Sequence, residues 1–191
     1  MGKAKATAVA TLLAIAMGTC VADGAKKPPL SQKSHAKWVS EPHQFMGISV
    51  DGSESNLCHV FVPDSSPCLV MGALTNLPNI GFDVEGSALE FEQRVAYISL
   101  SFAHDDAARM AKLLIEKFGT PTAKRTGAIT SVMGVRASDT QYEWQGENVD
   151  ILFKEHDGNL SKGSVLVTSI PVWKAYQEDY AKRNGNPADN L

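Results

Sequence analysis

The chain is predicted to fold as a single α+β domain, an antiparallel β-sheet packed by two helices, and three observations predict it. Residues 95–102 alternate, with Ala96, Ile98, Leu100 and Phe102 on one face and Val95, Tyr97, Ser99 and Ser101 on the other. This is the pattern of a strand with one buried and one half-wet face. Directly after it, Ala107, Met110, Ala111, Leu114, Ile115 and Phe118 recur at three- and four-residue spacing, the stripe of an amphipathic helix. Three further alternating runs near the C-terminus are joined by short turns, which is the signature of an antiparallel meander.

The first 22 residues read as an export signal. Lys3 and Lys5 precede an acid-free apolar run from Ala6 to Met17, shorter than the ~20 residues a spanning helix needs. Cleavage after Ala22 yields a periplasmic or secreted chain with no transmembrane span. In the alternative, Cys20 is acylated and anchors the protein as an outer-membrane lipoprotein, although Met17-Gly18-Thr19 is a poor lipobox. Removing residues 1–22 takes two lysines and no acids, leaving 16 basic against 21 acidic residues, so the net charge moves from −3 to −5. Such a balance excludes nonspecific nucleic-acid binding, and no basic recognition module is present.

Residues 23–44 lack periodicity and carry Pro28-Pro29 with Lys26, Lys27, Lys33 and Lys37, which reads as a flexible tether, with Trp38 placed to dock on the domain. The domain is expected over 45–183. Phe45–Val50 reads as a short strand ended by Asp51-Gly52. Two apolar runs, 57–62 and 68–71, flank a proline-bounded turn, and each carries a cysteine. In an oxidising compartment a structural Cys58–Cys68 disulfide is the economical reading, because the spacing does not fit a Cys-x-x-Cys redox site. Alternation at Ile80, Phe82 and Val84 predicts a strand. A second one, at Leu89 and Phe91, is joined to the organising strand by a turn at Glu92-Gln93.

His104, Asp105 and Asp106 open the helix, where an acid can accept free N–H groups. Gly119 and Pro121 close it. The segment 122–140 is long for a connection and is either a binding loop carrying Lys124, Arg125 and Arg136 or a hairpin that buries Ile129, Val132 and Val135. Tyr142 and Trp144 share a strand face, Val149, Ile151 and Phe153 share the next, and 164–170 forms the third strand. Pro171 starts a final helix with a Val172, Trp173, Tyr176, Tyr180 stripe, and residues 184–191 form a disordered polar tail.

The chemistry is sparse. His35, His43, His59, His104 and His156 are scattered, none at His-x-x-x-His spacing, so no metal site and no cofactor is expected. Capping accounts for His104-Asp105-Asp106, and a solvated loop accounts for Glu155-His156-Asp157. No nucleophile elbow, phosphate loop or dinucleotide fingerprint occurs, so no catalytic residue is assigned.

The pattern Phe45-x-Gly47-Ile48, Arg94-Val95-x-x-Ile98-x-Leu100-x-Phe102, Lys117-Phe118-Gly119-x-Pro121 and a Trp144 strand resembles small exported proteobacterial α+β proteins over about residues 45–170. The strand, helix and meander are also similar to the small domains of outer-membrane assembly lipoproteins. The resemblance implies an envelope protein and transfers no site residues. The expected function is a non-enzymatic binding or interaction module whose partner is an envelope protein or a small ligand. A small hydrolase of envelope polymers is the alternative.

Overall fold

The computed structural model describes residues 38, 40–55, 57 and 67–185. The expected signal with Cys20, the lysines at 26, 27, 33 and 37, Cys58 and residues 186–191 lie outside them.

Eight strands form one antiparallel sheet: β3 (Cys68–Val70), β4 (Ala73–Thr75), β5 (Val84–Phe91), β6 (Arg94–Ala103), β7 (Ala123–Thr130), β8 (Arg136–Gln145), β9 (Val149–Lys154) and β10 (Lys162–Ser169). Two helices, α1 (Ala107–Phe118) and α2 (Ile170–Asn184), complete the domain, with a single helical turn at His104–Asp106 before α1. The sheet dominates. Its order, β3-β4-β5-β6-β10-β9-β8-β7, is two four-stranded meanders joined where β6 pairs with β10. A separate tight hairpin, β1 (Gln44–Phe45) and β2 (Ile48–Ser49), replaces the single strand expected over 45–50. Met46 and Gly47 take positive φ there, and Met71-Gly72 makes the same turn between β3 and β4. A turn with two positive φ angles matches the twist of the strands it joins.

The core follows the alternation of β6. Ala96, Ile98, Leu100 and Phe102 are buried, next to Val165 and Val167 of β10 and Ile151 and Phe153 of β9. On this face α1 lays Ala107, Met110 and Leu114, while Ile115 of the expected stripe stays partly exposed. Tyr97, on the other face, meets Trp173 of α2 at 5.7 Å, and Phe91 meets Tyr176 at 5.8 Å. The helices therefore lie on opposite faces of the sheet. No described helix is long and apolar enough to cross a membrane.

Neither acid of the His104-Asp105-Asp106 run caps α1 with its side chain. The preceding helical turn already holds Asp106 in helical geometry, and its carboxylate pairs instead with Arg109 at 2.7 Å. The other end is closed by tryptophan. Trp38 Nε1 donates to Phe118 O at 3.2 Å and Trp144 Nε1 to Gly119 O at 2.9 Å. Both indoles thus satisfy carbonyls left without helical partners.

Residues at the end of the expected tether belong to the domain. Glu41 accepts the backbone N–H groups of Asn148 at 2.7 Å and Val149 at 3.0 Å, and that of Glu147 as well, gripping the β8–β9 turn. Burial opposes ionisation of Glu41, but these donors outweigh it and hold its pKa below the usual value. Burial raises that of Asp150 on the same turn, helped by the Glu41 and Glu143 charges and opposed by the Gly146 N–H. A depressed folded pKa contributes stability above the unfolded value that is lost as pH falls through the folded one. Replacing Glu41 with alanine is therefore expected to cost about 1–2 kcal/mol at pH 7 after allowance for solvent screening. Urea titrations of both proteins at pH 7 and at low pH check this, the deficit shrinking in acid. An equal deficit at both values would mean that the ionised carboxylate contributes nothing.

Candidate functional site

Beyond their shared pairing with β10, strands β6 and β9 run parallel and end at the same edge of the sheet. The chain leaves β6 at His104, whose N–H donates to Ser161 O at 2.9 Å. It leaves β9 at Glu155 and His156. Those two residues are pinned by the base of the β7–β8 hairpin, where the Glu155 N–H donates to Thr140 O at 2.9 Å and the His156 N–H to Asp139 Oδ1 at 3.2 Å. The Thr140 N–H in turn donates to Glu155 Oε2 at 2.8 Å.

The histidines read separately in the sequence are thereby brought together. The rings of His104 and His156 stack with centroids 4.3 Å apart and planes 20° from parallel. One donor atom from each of His104, Glu155 and His156 lies within 4.8 Å of the other two. His156 is only 5% exposed, and the Nδ1 atoms of both rings are buried with no hydrogen-bond partner. A buried polar atom left unpaired costs roughly 1–3 kcal/mol, so this pair is the least satisfied polar feature at this end of the fold. Glu155 also borders a hollow of about 160 Å³ between the first turns of α1 and the β8 and β9 strand ends. Neither the cap expected for His104 nor the loop expected for His156 describes this geometry, because pairing with β10 is a long-range event that spacing does not encode.

Gly163 of β10 makes the approach feasible. It lies opposite Phe102, and with no side chain there the Phe102 ring packs over the glycine and stacks on Phe153 at 6.1 Å.

The other expected site residues do not gather. Lys124 lies over the Tyr142 ring at 5.4 Å, whereas Arg125, on the opposite face, pairs with Glu143 at 3.1 Å. Arg136 starts β8 opposite Thr130, roughly 20 Å along the strand from Lys124. The segment 122–140 is a hairpin, but it does not bury the residues that motivated one. Strand β9 pairs with β8 only over Gln141–Gln145, and Glu155 and His156 hold Thr140 and Asp139 just past it, so among the described residues 128–130 and 136–138 pair solely with each other and project about 10 Å beyond the sheet. Val132 and Met133 at the tip are 105% and 86% exposed, and Val135 is exposed too. The tip is closed by backbone hydrogen bonds, the Ser131 N–H donating to Val135 O at 2.8 Å and the Gly134 N–H to Ser131 O at 2.9 Å.

Cys68 is buried and disulfide-bonded at the start of β3, and Cys58, its expected partner, lies outside the described residues. An apolar hollow of about 340 Å³ lies between α1 and the β1–β2 turn, walled by Phe45, Met46, Ile80, Met110, Leu113 and Phe118. Comparison with protein-family models, with curated proteins and with solved structures finds no match to the chain.

Proposed function

We propose that the chain is an exported, periplasmic interaction module without catalytic activity, which docks on an envelope protein through the tip of the β7–β8 hairpin. The exposed Val132–Met133 pair on a projecting turn carries this reading. Aliphatic and thioether side chains held in water on a hydrogen-bonded turn gain free energy when a partner covers them. Among the described residues β7 pairs only with β8, so its outer edge adds unpaired backbone groups beside the tip. Lys124 and Arg125 guard that edge against indiscriminate strand pairing. Export rests on the pattern of residues 1–22. A hydrolase reading of the histidine pair lacks a protein nucleophile, since no described hydroxyl is hydrogen-bonded to either Nδ1.

The test places a photo-crosslinking residue at position 133 in the full chain expressed in its own envelope. One discrete adduct is expected, absent when the crosslinker is moved to position 180 on α2. The adduct is expected to fall at least tenfold in a Val132→Ser, Arg136→Glu chain crosslinked from the same position. Surface changes of this kind alter stability by about 0.5 kcal/mol or less, so a folded variant that still gives the full adduct overturns the assignment. Charge reversal at Lys124 and Arg125 separately reports whether the strand edge takes part.

A small-ligand carrier is the second reading, favoured by the apolar hollow beside α1. Native mass spectrometry of the same preparation distinguishes it as a noncovalent added mass that the tip variant retains. The intact mass also reports cleavage after Ala22 or acylation of Cys20.

A further inference from the structure

We propose that His104, Glu155 and His156 form a binding site for a divalent first-row transition-metal ion. The donor set is two imidazoles and one carboxylate, the combination that suits ions such as Zn²⁺. All three donor atoms lie within 4.8 Å of one another. Tetrahedral donors at ordinary bond lengths stand roughly 3.4 Å apart, so occupancy requires closure of about 1.4 Å at most. The second, independent observation is the burial of both Nδ1 atoms without partners, on a His156 that is 95% removed from solvent. A ligand that accepts their lone pairs removes that deficit.

Lone pairs lie in the plane of an imidazole ring. The present stack, 20° from parallel, sets the two side by side. Binding therefore tilts the more exposed His104 ring about its outer torsion until the lone pairs converge. The carboxylate needs no such search, because Glu155 Oε2 is already held by the Thr140 N–H at 2.8 Å. Such outer support is what orients metal ligands in established sites. The Asp139 carboxylate fixes the His156 backbone from the other side. Three protein ligands leave a fourth coordination position for water. A bound ion would tie the end of β6 to the end of β9 at the base of the projecting hairpin. This site is independent of the docking tip, and either proposal can fail alone.

The experiment uses the folded chain, freed of any affinity tag and stripped with chelator, titrated with Zn²⁺ against a chromophoric competitor. One ion per chain is expected, with Kd of about 1 µM or tighter. At a thousandfold excess over Kd, Tm is expected to rise by about 10 °C. His104→Ala and Glu155→Gln each weaken binding by about 100-fold. Circular dichroism checks that both variants fold, as expected at half-buried positions, so the test stands even if His156→Ala fails to fold. Imidazole NMR resonances identify the ligands. Perturbation confined to His104 and His156 supports the site, whereas perturbation of His35, His43 or His59 overturns it. Absence of binding at about 100 µM Zn²⁺, or unchanged affinity in both variants, also overturns it and leaves the buried nitrogens to water.

Discussion

Trp144→Ala is expected to lower stability by about 3–5 kcal/mol, the largest effect of any single change proposed for this chain. The indole is fully buried, faces α1 beside Ile151, and donates to Gly119 O at 2.9 Å. Truncation removes both the packing of β8 on the helix and the partner of a helix-terminal carbonyl. Trp144→Phe separates the two, since it keeps most of the apolar volume and loses the N–H. It is expected to cost about 1–2 kcal/mol. Urea unfolding with a common m-value measures both. A phenylalanine variant as unstable as the alanine variant would make the hydrogen bond, not the packing, the dominant contribution.

Gly163→Ala is expected to cost about 3 kcal/mol for the addition of one methyl group. A Cβ at this position would stand 2.3 and 2.7 Å from Phe102 ring carbons and 2.9 Å from Glu155 O. The φ of Gly163 is not in the left-handed region, so the cost is steric and not conformational. Displacing Phe102 breaks its stack on Phe153, and pressure on the Glu155 carbonyl disturbs the residue that precedes His156 at the end of β9. Combining Gly163→Ala with Phe102→Leu is expected to recover part of the loss, because leucine vacates the ring position. Thermal unfolding of the double-mutant cycle reads the coupling. Strict additivity would mean that the Phe102 ring is not the obstacle.

Much of the local structure is legible in the sequence. The alternation of β6, the α1 stripe and the positive φ of Gly119 followed from spacing and residue type. So did the Glu92-Gln93 turn, the β8-β9-β10 meander and Pro171 at the start of α2. The β1–β2 hairpin was missed although a signal existed. Met-Gly recurs at 46–47 and 71–72, both times between apolar residues and both times as a positive-φ turn. The burial expected for Val132 and Val135 failed for a different reason. Hydrophobicity says that a side chain gains by being covered, not whether a neighbouring strand extends far enough to cover it. Here β9 ends at Lys154 and leaves the outer hairpin bare.

The sequence by itself determined β6, the three C-terminal strands, the two helices and the face that β6 and α1 present, because periods of 2.0 and 3.6 residues are local properties of the backbone. The strand expected from Ile80, Phe82 and Val84, by contrast, is irregular up to Val84, where β5 begins. Only the tertiary structure decided the pairing of β6 with β10, and with it the meeting of His104 and His156. Strand order is settled by contacts between residues far apart in the chain, whose side-chain complementarity leaves no periodic trace. A cluster assembled at the ends of two strands that share a neighbour is therefore invisible to spacing, however regular each strand may be.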